Sequence, residues 1–186
     1  VDGRSVRDLV QELGRPLSLA EALPIFLGAA RGLAHVHERG VVHRDIKPEN
    51  IMLVRKEASA LLDAQLGDFG HSCALAEKQT QVVGSRDYIA PEVLNQAYSH
   101  GTCDLWSAGV TMFTMLSGRV PFQPMRTSAR PGEMAQAIAA ATLPLADLPQ
   151  ATTSAAKDLL CALLCKDPSG RITAADALAH PWFAPV

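Results

Sequence analysis

The stretch His43-Arg44-Asp45-Ile46-Lys47-Pro48-Glu49-Asn50 decides how the rest of the chain is read. It packs an acid, a cation and an amide into eight residues, after the apolar Val41-Val42 and before the apolar Ile51-Met52-Leu53. This pattern predicts a polar loop held between two short strands. Pro48 stiffens the backbone within the loop, so Asp45, Lys47 and Asn50 are aimed at one point.

On the N-terminal side, residues 4 to 13 predict a short helix with Val6, Leu9, Val10 and Leu13 on one side, closed by Gly14. Ser18-Leu19-Ala20-Glu21 is a capping-box pattern, and Leu23, Phe26, Leu27, Ala30, Leu33, Ala34 and His37 recur at helical spacing up to Gly40. Pro24 falls in the second turn and predicts a kink or a shifted start. His35 and His37 are two residues apart, face different sides of a helix, and are read as structural.

On the C-terminal side, Ile51 to Val54 and Leu61 to Leu66 predict two strands joined by a polar turn from Arg55 to Ser59. The second strand delivers Gly67-Asp68-Phe69-Gly70. There an acid flanked by glycines at a strand end can come close to a metal ion, because the backbone at Gly67 and Gly70 lacks side-chain bulk. Residues 71 to 83 show no sustained period and predict a mobile loop. Asp104 to Leu116 is apolar nearly all round, which demands burial in the middle of a domain. Gly118 and Pro121-Phe122 mark the exit of that helix. A polar loop then runs from Gln123 to Gly132, followed by an Ala-rich helix over about 133 to 141. A helix capped by Ser154 carries Leu159, Leu160, Leu163 and Leu164. A last helix follows the capping pattern Thr173-Ala174-Ala175-Asp176 and stops before Pro181-Trp182-Phe183.

Length and charge bound the function. The 186 residues suffice for one domain with a sizeable core. A net charge of −2 argues against a nucleic-acid or membrane-surface protein. No run of eighteen apolar residues and no signal-peptide pattern is present, so a soluble cytoplasmic protein is expected. Cys73, Cys103, Cys161 and Cys165 form no zinc-type spacing. Cys161 and Cys165, one turn apart in an apolar segment, are expected as buried small hydrophobes.

His43 to Asn50 resembles the catalytic loop of protein kinases, H-R-D-x-x-x-x-N. Asp68-Phe69-Gly70 resembles the metal-binding motif that follows it, and Gly84-Ser85-Arg86-Asp87-Tyr88-Ile89-Ala90-Pro91-Glu92 resembles the G-T-x-x-Y-x-A-P-E segment, with Ser85 for the commoner threonine. Three ordered motifs, together with the ending from Asp167 to Phe183, make the chain most similar to the calmodulin-dependent and calcium-dependent Ser/Thr kinases. The resemblance implies a mostly α fold over residues 1–186: the C-terminal lobe of a kinase domain, a helical bundle around a buried central helix, with short β-hairpins carrying the catalytic loop (43–50) and the metal-binding and activation segment (68–92). Nothing matches the G-x-G-x-x-G loop or V-A-I-K strand of an N-terminal lobe. With Val1 as first residue and a linker-like opening through Ser5, a fragment of a longer protein is expected, inactive alone.

By the same resemblance, Asp45 takes the proton of a Ser or Thr hydroxyl on a protein substrate, and Lys47 stabilises the transferred phosphoryl charge. Asn50 and Asp68 hold Mg²⁺, and these two, Lys47, Glu49 and Met52 form the ATP side of the site, with Met52 under the adenine. Glu49 is also placed to meet a substrate arginine. Ser5 and Thr114 stand where relatives often carry acids, which weakens an expectation of basic substrates. Arg44 marks the class whose loop is ordered by phosphorylation; Thr80 is the first candidate, then Ser72 and Ser85, although Ser85 is expected to touch Asp45 and Lys47. Glu92 and Arg171 match a buried ion pair, and His43, Phe69 and Asp104 match an internal column of core residues. Regulation by a calcium sensor is an expectation of the group. The competing reading is a non-catalytic lobe that binds partners or scaffolds. Small-molecule kinases share part of the loop pattern but not Ala90-Pro91-Glu92 or Arg171.

Overall fold

The computed structural model describes residues 3–55, 62–77, 81–96, 101–122 and 129–184. Thr80, most of the turn expected after Arg55 and most of the loop expected from Gln123 lie outside these residues.

Local rules explain where the helices begin and end. Helix α1 (Val6–Leu13) starts two residues later than expected, because Ser5 caps it. The Ser5 side chain accepts from Asp8 N, and Asp8 reaches back to Ser5 N at 2.8 Å. Gly14 ends it at φ 63, a left-handed conformation that favours glycine. Helix α2 (Leu19–Glu38) has the same box between Ser18 and Glu21. It neither breaks nor restarts at Pro24, so the expected shift is absent. Its length and hydropathy would suit a membrane span, yet eight of its residues, among them Ile25, Phe26 and Leu33, are buried in the core.

Among the described residues, four strands form two small sheets. Strand β2 (Ile51–Arg55) pairs antiparallel with β3 (Leu62–Leu66) in the register Ile51 to Leu66, as the hairpin reading expects. Strand β1 (Val41–Val42) instead pairs with β4 (Cys73–Ala74), across the intervening loop and hairpin. The expected loop of residues 71 to 83 therefore contains a strand. Two residues are too short to show a period, so only their partner reveals them. Helix α2 lies directly on β3 at Gly28, where a Cβ would sit 2.5 Å from the Ala64 carbonyl oxygen.

Helix α3 (Pro91–Leu94) begins at the end of the third motif and was not expected. Helix α4 (Thr102–Ser117) is the central helix: thirteen of its sixteen residues are buried. Trp106, Met112, Phe113, Met115 and Leu116 are each at most 1% exposed, and burying such a side chain stabilises the fold by about 1.5–3 kcal/mol. Its hydroxyls satisfy themselves: Thr111 donates to Ser107 O at 2.8 Å and Ser107 to Tyr88 O at 2.7 Å. Helix α5 (Pro131–Ala140) starts at a proline suited to a first turn. Helix α6 (Ser154–Leu163) is capped by Thr153, one residue before the expected Ser154, and α7 (Ala174–Leu178) by Thr173 as expected. A mostly helical bundle around a buried helix is thus what the chain forms.

The cysteines depart from expectation. Only Cys103 is buried; Cys161 is exposed and Cys165 half-buried. The core stripe of α6 is Ala156, Leu159, Leu160 and Leu163, so Cys161 is turned outward and Cys165 falls past the helix end. Phe69 is also no core residue, being 44% exposed. Its ring lies tilted against that of His43, with centroids 4.8 Å apart.

Candidate active site

The loop between β1 and β2 is held by the start of α4. Asp104, in the first turn and fully buried, accepts from the backbone N–H of His43 at 2.8 Å and of Arg44 at 2.7 Å. A carboxylate suits that position, where the helix dipole is positive. His37 Nε2 stands 2.8 Å from the same carboxylate, so the last turn of α2 braces the loop as well. Its structural role was expected, but not its partner, because the contact joins residues 67 apart. Arg44 adopts φ 68, and its carbonyl oxygen lies 2.5 Å from where a Cβ of Gly84 would be. Glycine is required there, since Gly84 also has φ 104.

His43 links this base to the second motif. Its Nδ1 accepts from Asp45 N at 3.3 Å, which leaves the proton on Nε2 for the Gly67 carbonyl at 2.9 Å. Gly67 N in turn donates to Asn50 O at 2.8 Å. The strand end that presents Asp68 is therefore tied to both ends of the loop. Asp68 itself is exposed at φ 54, and its Oδ1 accepts from Gly70 N at 3.2 Å.

Asp45, Lys47, Asn50 and Ser85 meet in one network. Lys47 Nζ donates to Asp45 Oδ2 at 2.6 Å and to Ser85 Oγ at 2.7 Å. Ser85 N donates to Asp45 Oδ1 at 2.8 Å. Asn50 Nδ2 donates to Asp45 O at 2.8 Å and to Oδ2 at 3.1 Å. Both of those partners are acceptors, so the amide orientation is fixed by chemistry and Oδ1 is the atom Asn50 has to offer. Burial pushes the Asp45 carboxyl up, but hydrogen bonds from Lys47 and Ser85 together outweigh it and hold the group below the usual carboxylate range. Asp45 is thus an anion near neutral pH, and only 4% exposed.

The remaining expected residues are arranged differently. Met52 is half-buried in β2 and packs under Gly67, where a Cβ would lie 3.1 Å from its Cγ. Glu49 has Arg7 of α1 as its partner, at 2.6 Å, rather than a member of the network. Arg44 donates from Nε to the His71 carbonyl at 2.5 Å. Glu92 and Arg171 form the expected buried pair, at 2.5 and 3.0 Å.

Comparison with known proteins places this arrangement. The protein kinase domain family matches residues 1–183. This chain is a member of the protein kinase family. Calcium-dependent protein kinase 29 of Arabidopsis thaliana is 42% identical over 166 residues, covering 88% of this chain and 30% of that protein. The serine/threonine-protein kinase PEPKR2 of the same plant is 39% identical over 184 residues, 97% of this chain and 37% of that protein. The calcium and calcium/calmodulin-dependent serine/threonine-protein kinase of Lilium longiflorum is 37% identical over 168 residues, 89% and 31% respectively. The kinase chain described here spans about a third of the length of these relatives. It falls in the Ser/Thr kinase group that the calcium-dependent and calmodulin-dependent kinases represent.

Proposed function

We propose that this chain is the catalytic lobe of a Ser/Thr kinase that moves the γ-phosphoryl group of ATP to Ser and Thr hydroxyls of proteins, and that it needs an N-terminal lobe to do so. The observation that carries the reading is the Asp45–Lys47–Asn50–Ser85 network, in which the Lys47 and Asn50 side chains and the Ser85 backbone N–H, from two distant segments, converge on one ionised carboxylate. Asp45 accepts the hydrogen bond of the acceptor hydroxyl and takes its proton as that oxygen becomes nucleophilic. Lys47, tied to Asp45 and Ser85 yet 20% exposed, keeps a cation at the mouth of the site for developing phosphoryl charge.

The donor set fits Mg²⁺ and ATP. Asn50 offers Oδ1 because its nitrogen is engaged, and Asp68 offers an exposed carboxylate, the hard oxygen ligands that Mg²⁺ prefers. When bound, Mg–ATP supplies the phosphoryl group and neutralises part of its charge. Met52 under Gly67 would floor the base, and Glu49 faces substrate rather than nucleotide. Residues 43–50 act as catalytic loop and 68–92 as the metal-binding and activation segment, with Thr80 its phosphorylation site. Relatives are named for calcium dependence, and control by a calcium sensor is proposed here on that basis.

The test is transfer of labelled phosphate from γ-labelled ATP by the protein containing this chain and an N-terminal lobe, with the 186-residue chain alone in parallel. Label on Ser and Thr of protein acceptors, and none with the chain alone, is expected. Label on Tyr only, or tight Mg–ATP binding by the isolated chain, would overturn the reading.

A further inference from the structure

Ser85 is the joint between the Asp45 network and the segment that ends in the third motif. Its N–H donates to Asp45 Oδ1 at 2.8 Å, and its hydroxyl accepts from Lys47 at 2.7 Å. On the core side the segment is fixed by Gly84 against the Arg44 carbonyl and by Ser107 of α4, which donates to Tyr88 O at 2.7 Å. On the exposed side it is fixed by Arg86, the residue after Ser85, whose Nη2 donates to the Ala129 carbonyl at 2.6 Å. Ala129 lies at the entry of α5, whose first turn is closed by Glu133 accepting from Arg130 N at 2.9 Å.

Helix α5 is lightly seated. Of its ten residues only Met134 and Ala135 are buried, and they meet Ile89 and Leu94 in a small cluster beside the main core. Apolar contact of this kind is non-directional, and the small side chains of Ala135, Ala137, Ala139 and Ala140 add little to fix the helix along its axis. Polar contacts at the two ends do that. At the C-terminal end, Lys166 in the turn after α6 donates from Nζ to the Ala139 carbonyl at 2.6 Å and to the Ala141 carbonyl. These are carbonyls that the helix itself leaves unpaired, and a cation suits the negative end of its dipole. Arg86 and Lys166 thus hold opposite ends of a ten-residue helix, about 15 Å apart.

We infer that α5 is a lever on the active site, and that Lys166 and Arg86 are positioning residues for phosphoryl transfer; the inference rests on the Ser/Thr kinase reading. Lys166 fixes the far end of α5. The near end, through Ala129 and Arg86, sets where Ser85 stands, and Ser85 holds Asp45 and Lys47 in register. Both Ser85 bonds are already at full hydrogen-bond length, so a shift of α5 along its axis weakens them. The shift reaches Ser85 only while Arg86 is in place. The exposed surface at Lys166 is therefore a place from which transfer is tuned without touching the reacting atoms.

The experiment is a double-mutant cycle in the two-lobed kinase: wild type, Lys166→Ala, Arg86→Ala and both together, with transfer to a Ser peptide and hydrogen exchange of the Ser85 amide measured for each. Each single variant should lower kcat by roughly threefold to tenfold, and the double variant should be no slower than Arg86→Ala alone. KM for ATP should stay within about twofold. Ser85 N–H should exchange faster in both single variants, a change that a loss of surface charge alone does not produce. Lys166→Arg, which keeps the charge and the donors, should restore kcat. Lys166→Met, which keeps the stem and drops the donors, should behave as Lys166→Ala and serves in its place if that variant does not fold. Additive losses in the cycle, or wild-type protection of Ser85 N–H with Lys166 replaced, overturn the inference alone. Absence of transfer by the wild type overturns the kinase reading and this inference with it.

Discussion

Arg171 and Lys47 each hold a carboxylate, Glu92 at 2.5 Å and Asp45 at 2.6 Å, yet the Arg171 side chain is 0% exposed and that of Lys47 20%. Arg171 spends its donors inside the protein: on both Glu92 oxygens, on Cys165 O at 2.9 Å and on Thr102 O at 2.9 Å, with its guanidinium 5.2 Å from the Trp106 ring centre. Lys47 donates to two partners and has a third N–H. The first pair is closed and ties α3, α4 and the turn before α7 into one body. The second is open on one side, where a reacting group fits. Closure rather than charge separates a structural ion pair from a chemical one here.

Three substitutions would break or sharpen that contrast. Arg171→Ala strands Glu92 without its cation and should cost about 3–5 kcal/mol in urea unfolding. Replacing both partners by apolar residues of similar size should recover most of that loss, because no buried charge is left over. Lys47→Ala should cost only about 1–2 kcal/mol, since Ser85 N and Asn50 still serve Asp45. Phosphoryl transfer by the two-lobed protein should nevertheless fall on the order of 10²-fold.

The smallest effect is at the surface. Hydrogen bonds from Arg15 and Ser18 hold the Glu21 carboxyl at about 2, below its ordinary 4.5. A lowered value stabilises the fold above pH 4.5, and the contribution is lost as pH falls through 2. The advantage in melting temperature of wild type over Glu21→Gln should therefore be present at pH 7 and shrink toward pH 2. Solvent screening keeps it small. An advantage independent of pH would remove Glu21 from the account.

Local chemistry made much of this legible. The Ser18 and Thr173 caps, the apolar α4, and the polar loop between β1 and β2 lie within short windows of sequence, and all took the expected form. The contact of Ser85 with Asp45 and Lys47, and that of Glu92 with Arg171, were readable through the resemblance alone. What sequence hid depends on distant partners. His37 bracing Asp104, β4 pairing with β1, and Arg7 on Glu49 have no local period or cap to announce them. Cys161 shows the limit of composition: an apolar neighbourhood did not tell which side of α6 faced the core. Phe69 shows another, since an aromatic residue adjoining the site need not be covered within the same chain.

The central claim is that the Asp45 network does chemistry while the Arg171 pair holds structure. It is tested most directly by measuring kcat and the melting temperature of the two-lobed kinase carrying Asp45→Asn. The account predicts a kcat lower by about 10²- to 10⁴-fold, with a melting temperature within about 5 °C of wild type. A kcat within threefold of wild type, at full folding, would contradict it.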